Sequence, residues 1–148
     1  DTFDFLIRNH ALEIKTTTSN DRKHHFSYEQ LNSTNTKIIV GSVLVRKSRA
    51  GASLLELKNI ILSEISKEHL KEKLQENYDI MTGSKNQADL DNAKYVYEYA
   101  KDHIKFFDSK NVPRIKETPM PGIKNIKFES NLNGIESIND FSNYEFLK

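Results

Sequence analysis

Asp4 and the triplet Glu13-Ile14-Lys15 are the residues whose types and spacing could do chemistry. In an extended strand successive side chains alternate faces, so Glu13 and Lys15 share one face while Leu12 and Ile14 point to the other, into a core. If Arg8-Asn9 closes a two-residue hairpin loop, Ile7 pairs with His10 and, in the same register, Asp4 falls directly across from Glu13. Facing Cβ atoms in such a pair lie about 4.5–5.5 Å apart. Two carboxylates that close repel each other, and one pKa rises unless something positive sits between them. A divalent cation fills that role. Mg²⁺ is typically held by one or two carboxylates, keeps several waters and takes its remaining ligands from substrate phosphates. Lys15, one pleat further on, could hold or polarise a water beside the ion, which is the equipment for metal-assisted hydrolysis of a phosphodiester. The competing reading is an amphipathic strand with a solvated Glu-x-Lys pair. A three-residue loop with regular pairing would put Asp4 on the opposite face and leave only that.

The elements that must position these residues belong to a chain of 148 residues, long enough for one compact domain with a real core and too short to expect two. Net charge is +1, from 22 Lys and Arg against 21 Asp and Glu, so any basic surface for nucleic acid must be local. The absence of cysteine excludes disulfides and thiolate metal sites and permits a reducing compartment. No apolar run approaches the roughly 18 residues of a membrane span, so no membrane partner is expected and a cytoplasmic location is the default. The sequence opens on Asp1-Thr2-Phe3, without an initiator Met and almost directly on a strand pattern, and is expected to be a fragment lacking upstream elements.

Phe3–Ile7 and Ala11–Thr17 read as the two strands of a hairpin, Ser19–Lys23 as loop. A short helix is expected after Ser27, with Gln30 three residues on as in a capping box. Lys37–Val45 (KIIVGSVLV) is apolar nearly throughout, as in a central strand covered on both faces. Ser53-Leu54-Leu55-Glu56 is a capping box, and Leu54, Leu57, Ile61 and Ile65 follow at helical spacing. Ser66 is expected to open a second helix carrying Leu70 and Leu74 to Tyr78, and Gly83–Asn92 to be loop. From Lys94 to Asp108 the alternation of Tyr95, Tyr97 and Tyr99 favours a strand pair, with a helix as competitor. Val112–Ile115 and Ile123–Phe128 read as later strands, with Pro119 and Pro121 between them.

The stretch Asp4-(eight residues)-Glu13-Ile14-Lys15 resembles the signature of the PD-(D/E)XK nuclease superfamily. More narrowly, DFLIRNHALEIKTTT, HHFSYEQL, KIIVGSVLV, SLLELKNII and VPRI are similar to a bacterial group of that superfamily first catalogued as a domain of unknown function and found near phage-defence genes. Phe3 stands where the nominal proline would precede the aspartate. The resemblance implies an α/β, restriction-endonuclease-like fold, with a mixed central sheet flanked by helices. It implies that Asp4 and Glu13 are metal ligands, that the Ile14 carbonyl is a further ligand, and that Lys15 is the catalytic lysine. The implied activity is that of a Mg²⁺-dependent endodeoxyribonuclease, Mn²⁺ substituting, as the cutting domain of a restriction or phage-defence protein that acts with other subunits. A non-catalytic DNA-binding or dimerisation module that retains the fold is the alternative.

Further candidates surround this core. Gln30 could reach the metal site or a phosphate, or simply cap a turn. His24 and His25 are adjacent, so on a strand they point opposite ways and cannot easily chelate one ion; His24 is a candidate DNA contact, with packing as its alternative. Arg22, Lys23, Arg46, Lys47 and Arg49 lie near predicted strand ends and could form a phosphate-binding rim that adds affinity without reading sequence, or be solvated loop. The tyrosines could stack on bases or pack. Homodimerisation is expected on the ground that cutting both strands of a duplex needs two sites or two visits.

Overall fold

The computed structural model describes residues 2–7, 9–142 and 144. Its contacts divide into two compact units, Asp1–Leu44 with Lys101–Lys148, and Val45–Ala100. The chain is α/β, and the candidate chemistry lies in the first unit.

The first unit is built on a mixed four-stranded sheet. β1 (Phe5–Ile7) and β2 (His10–Thr17) form the expected hairpin, with Ile7 opposite His10 and Phe5 opposite Leu12. Arg8, half of the expected loop, lies outside the described residues. β3 (Lys23–Ser27) and the one-turn helix α1 (Tyr28–Leu31) then lead to β4 (Lys37–Leu44), which lies parallel to β2. β7 (Ile104–Asp108) pairs antiparallel with β4 and completes the order β1-β2-β4-β7. The near-continuous apolar run of β4 therefore marks an interior strand, whose Ile38, Ile39 and Val40 are buried on both faces.

Register decides which face becomes core. Glu13 is aligned with Val40 and, through it, with Phe107, while Lys15 is aligned with Ser42. Across this face lies a second ribbon, β3 paired antiparallel with β8 (Lys127–Asn131), and it brings Phe26 and Leu132 onto Val40 and Phe107. Leu31 and Val112 complete the buried cluster. The expectation that Leu12 and Ile14 would anchor the strand in the core is corrected here. Those two are only half-buried, whereas Ala11 and Glu13 on the opposite face are buried, because the ribbon covers the Glu13 side. On the reverse face Ile14, Gly41 and Phe106 lie in register, and a Cβ on Gly41 would stand 2.5 Å from Ile14 Cδ1. Glycine makes room there for the Ile14 side chain.

The second unit holds β5 (Lys47–Ser53) paired with the short β6 (Lys94–Tyr95), and helices α2 (Leu54–Glu64), α3 (Glu68–Thr82) and α4 (Gln87–Asn92). The Ser53/Glu56 capping box forms as expected, with Glu56 N–H donating to Ser53 Oγ at 3.2 Å and Ser53 N–H to Glu56 Oε2 at 2.7 Å. The helix expected from Ser66 to Tyr78 starts at Glu68 and runs four residues further, to Thr82. α4 occupies part of the expected loop, its first turn capped by Asn86, whose side chain accepts from Asp89 N–H. The tyrosine alternation does not make one strand: Tyr95 is in β6, while Tyr97 and Tyr99 are in α5 (Tyr97–Asp102). Neither Val112–Ile115 nor Ile123–Ile126 is a strand; pairing begins at Lys127, where β3 supplies a partner. Among the described residues no helix is long and apolar enough to cross a membrane.

Candidate active site

The hairpin register carries Asp4 to the strand that holds Glu13. Asp4 sits in a bend just before β1, and its Oδ2 accepts the Ile14 backbone N–H at 2.7 Å. In an extended strand the N–H and C=O of one residue point to the same edge, so the Ile14 carbonyl lies on Asp4's side of β2, away from the β4 ladder. A single hairpin thus brings the Asp4 carboxylate to the Ile14 backbone, close enough for its charge to act on Glu13.

Glu13 is only 3% exposed. Its Oε1 lies 2.6 Å from Lys15 Nζ and accepts from Gln30 Nε2 at 2.6 Å. Oε2 is buried with no hydrogen-bond partner. An ionised carboxylate buried with one oxygen unsatisfied is costly, and the fold responds accordingly. Burial raises the Glu13 pKa above the usual carboxylate range; the hydrogen bond and charge of Lys15 pull it back, the charge of Asp4 pushes it up, and the Asp4 backbone N–H, which approaches the carboxylate, pulls it down. A cation at Oε2 would remove this strain.

Gln30 is locked by four contacts. Its Oε1 accepts from Ser27 N–H at 3.0 Å and from Lys15 Nζ at 3.4 Å, while Nε2 donates to Glu13 Oε1 and, at 3.2 Å, to the Thr2 carbonyl. The expected alternatives for Gln30, capping a turn or reaching the site, are therefore one arrangement: the N-terminus of α1 aims the amide at Glu13. The Lys15 ammonium also lies 5.3 Å from the Phe26 ring centroid, which the β3–β8 ribbon places over the sheet.

Carboxylate and carbonyl oxygens are hard donors, of the kind that suit a hard divalent cation that keeps part of its water shell. Among the described residues no group of three or more His, Asp and Glu converges, so no all-side-chain cage is available. The orphaned Glu13 oxygen is the observation that makes the residues fit an ion.

Several residues expected at a DNA-binding rim lie elsewhere. Arg22, 6% exposed, is turned inward: Nη1 donates to the Ser42 carbonyl at 2.6 Å and to Ser42 Oγ at 3.0 Å, and Nη2 to the His103 carbonyl at 2.7 Å. His24 is buried too, its Nε2 2.7 Å from Ser42 Oγ, and burial, with the charge of Arg22, lowers its pKa to about 4. Both are corrected from DNA contacts to parts of an internal polar cluster, because alternation on β3 sends His24 inward with Phe26. Lys23 is exposed and 3.6 Å from Asp21, and His25 is exposed and 3.8 Å from Glu129. Arg46, Lys47 and Arg49 belong to the second unit. There Arg46 covers the Tyr99 ring at 4.0 Å, and Lys47 and Arg49 line a cleft of about 580 Å³ with Lys94 and Asp91. Thr2, Phe26 and Ser42 escaped sequence reasoning. Only Ser42 left a signal, as a hydroxyl inside an otherwise apolar interior strand.

A family model described as "Putative PD-(D/E)XK family member" matches residues 1–133 of the 148. No curated protein and no solved structure gives a significant match. The matched span includes the hairpin, the Asp4–Glu13–Lys15 arrangement and α1 with Gln30, and the chain belongs to this PD-(D/E)XK family.

Proposed function

We propose that the protein is a divalent-metal-dependent endodeoxyribonuclease with a restriction-endonuclease-like fold, serving as the cutting domain of a restriction or phage-defence protein. The observation that carries this reading is the buried Glu13 carboxylate, with one oxygen held by Lys15 and Gln30 and the other unsatisfied, beside Asp4.

Asp4, Glu13 and the Ile14 carbonyl would hold the ion, Mg²⁺ with Mn²⁺ able to substitute. When bound, it supplies charge neutralisation for a phosphate diester and acidifies a coordinated water. The remaining work falls to side chains of this chain. Lys15 Nζ, a donor on the same face as Glu13, is placed to orient an attacking water and to stabilise charge developing on the phosphoryl oxygens. Gln30 fixes the Glu13 carboxylate through Oε1, leaving Oε2 as the oxygen without a partner. The apolar layer around Phe26 and Val40 excludes bulk water, which strengthens each of these interactions.

Cleavage of both strands of a duplex would be served by a homodimer, and restraint of cutting by other subunits of a defence system. The test is metal-dependent cleavage of plasmid DNA, abolished in Lys15→Ala and in Glu13→Ala proteins that retain the parent circular-dichroism spectrum. Cleavage that persists in both variants refutes the site. A folded parent that binds DNA yet never cuts with any divalent ion is instead a non-catalytic DNA-binding module.

A further inference from the structure

A second cluster of polar chemistry in the first unit lies outside the site just described. A cleft of about 320 Å³ is lined by Lys37, Lys110, Arg114 and Lys116 against a single acid, Asp108. Four cations to one carboxylate is a local concentration of charge in a chain whose net charge is only +1. The acid is already engaged: Asp108 Oδ1 accepts the Lys110 backbone N–H at 2.9 Å, and the Tyr144 hydroxyl bonds to it as well. Lys37 is held over the Tyr144 ring at 3.9 Å.

The other three cations are differently placed. Arg114 is anchored through Nη1 to the carbonyls of Ser109 at 2.6 Å and Lys110 at 2.8 Å, and its Nε is buried without an acceptor. Lys110 and Lys116 are exposed, and among the described residues neither they nor Arg114 enters an ion pair. Backbone carbonyls fix the guanidinium without neutralising it. Threonine hydroxyls of Thr34 and Thr118 on the same walls add donors of the kind that commonly meet phosphate oxygens.

Position ties the cleft to the site. Tyr28 and Leu31 of α1 form one wall while Gln30 of the same turn reaches Glu13. Ile38, another wall residue, is in register with Ala11, whose side chain shares the Glu13 face. Along β2, Ala11 lies two residues from Glu13, roughly 7 Å at 3.3 Å per residue.

We infer that this cleft binds the sugar–phosphate backbone of the nucleic-acid substrate flanking the scissile phosphate, through Lys110, Arg114 and Lys116. The inference rests on the nuclease reading above for its ligand. It makes this cleft a positioning site that contributes affinity and register, with no base readout.

The experiment compares the parent with the double variant Lys110→Ala/Lys116→Ala, both side chains being exposed and outside the core. Binding to fluorescein-labelled duplexes of two unrelated sequences is followed by anisotropy in EDTA, across a salt series. The expected result is a loss of affinity of about tenfold at 0.1 M salt, equal for both sequences. The slope of log K against log salt should fall by about 2, one unit for each phosphate no longer neutralised. Affinity and slope unchanged in a variant with the parent's melting temperature overturn the cleft, as does a parent that does not bind duplex DNA at all. Plasmid cleavage is assayed in parallel. A parent that binds through these lysines but never cuts leaves the cleft standing and the nuclease reading refuted. A double variant that cuts and binds like the parent does the reverse.

Discussion

Lowering pH should destabilise the protein through His24, and the size of the effect follows from its surroundings. Arg22 Nη1 donates to Ser42 Oγ, and His24 Nε2 lies 2.7 Å from the same oxygen. Protonating the ring would put a second cation into a site 4% exposed that already holds a guanidinium. Burial is the larger cause of the depressed pKa, followed by the charges of Arg22, Lys15 and His25. The folded value is about 4 against 6.5 for the unfolded chain. Because the folded pKa is lowered, the unfolded state binds more protons between those values. Stability is therefore fully present above pH 6.5 and is lost as pH falls toward 4. The whole shift corresponds to roughly 3 kcal/mol, of which about 2 kcal/mol is gone by pH 5. For a chain of this length that is a fall in Tm of about 4–8 °C.

Glu13, whose folded pKa is raised, works with the opposite sign, so the informative quantity is a difference between proteins. His24→Gln keeps an acceptor near the Nε2 position and cannot titrate. Urea unfolding of parent and variant at pH 7.5 and pH 5 should show the parent losing about 2 kcal/mol more than the variant. Equal losses in the two proteins would refute the buried, neutral assignment of His24.

Three further outcomes are expected. Mg²⁺ at about a hundredfold its Kd should stabilise the parent by about 2.7 kcal/mol, a rise of roughly 5–10 °C in a thermal melt, and Glu13→Gln should remove that rise. Gln30→Ala, which frees Glu13 Oε1 and Lys15 from the amide, should lower kcat by about 10–100-fold with the protein still folded, measured in steady-state plasmid cleavage. Gly51→Ala places a Cβ 2.6 Å from the Tyr95 backbone, which cannot yield, and should cost about 1–3 kcal/mol in urea unfolding; Gly41→Ala meets the mobile end of Ile14 and should cost less.

The candidate site was legible because it is local. Asp4, Glu13 and Lys15 lie on one hairpin, whose register depends on loop length and alternation alone, and Gln30 is read from a capping box within α1. Interior β4 and capped α2 were legible for the same reason, each carrying its pattern within about ten residues. The misreadings share a cause as well. Tyr95, Tyr97 and Tyr99 alternate like a strand, but only Tyr95 finds a partner, at Lys47 and Ala52, and an unpaired strand has nowhere to place its backbone hydrogen bonds. The start of β8 is likewise set by β3, about a hundred residues earlier in the chain.

By itself, then, the sequence determined the hairpin, the alternation that puts Glu13 and Lys15 on one face, and the cap that points Gln30. Which face of that hairpin is buried was decided only in three dimensions. The β3–β8 ribbon lays Phe26 and Leu132 over Val40 and Phe107, so the chemistry-bearing face, not the Leu12–Ile14 face, lies against the apolar layer. The same ribbon turns Arg22 and His24 inward onto Ser42. Burial by an element distant in sequence is what gives Glu13 an unsatisfied oxygen and a raised pKa, and no short-range pattern encodes it.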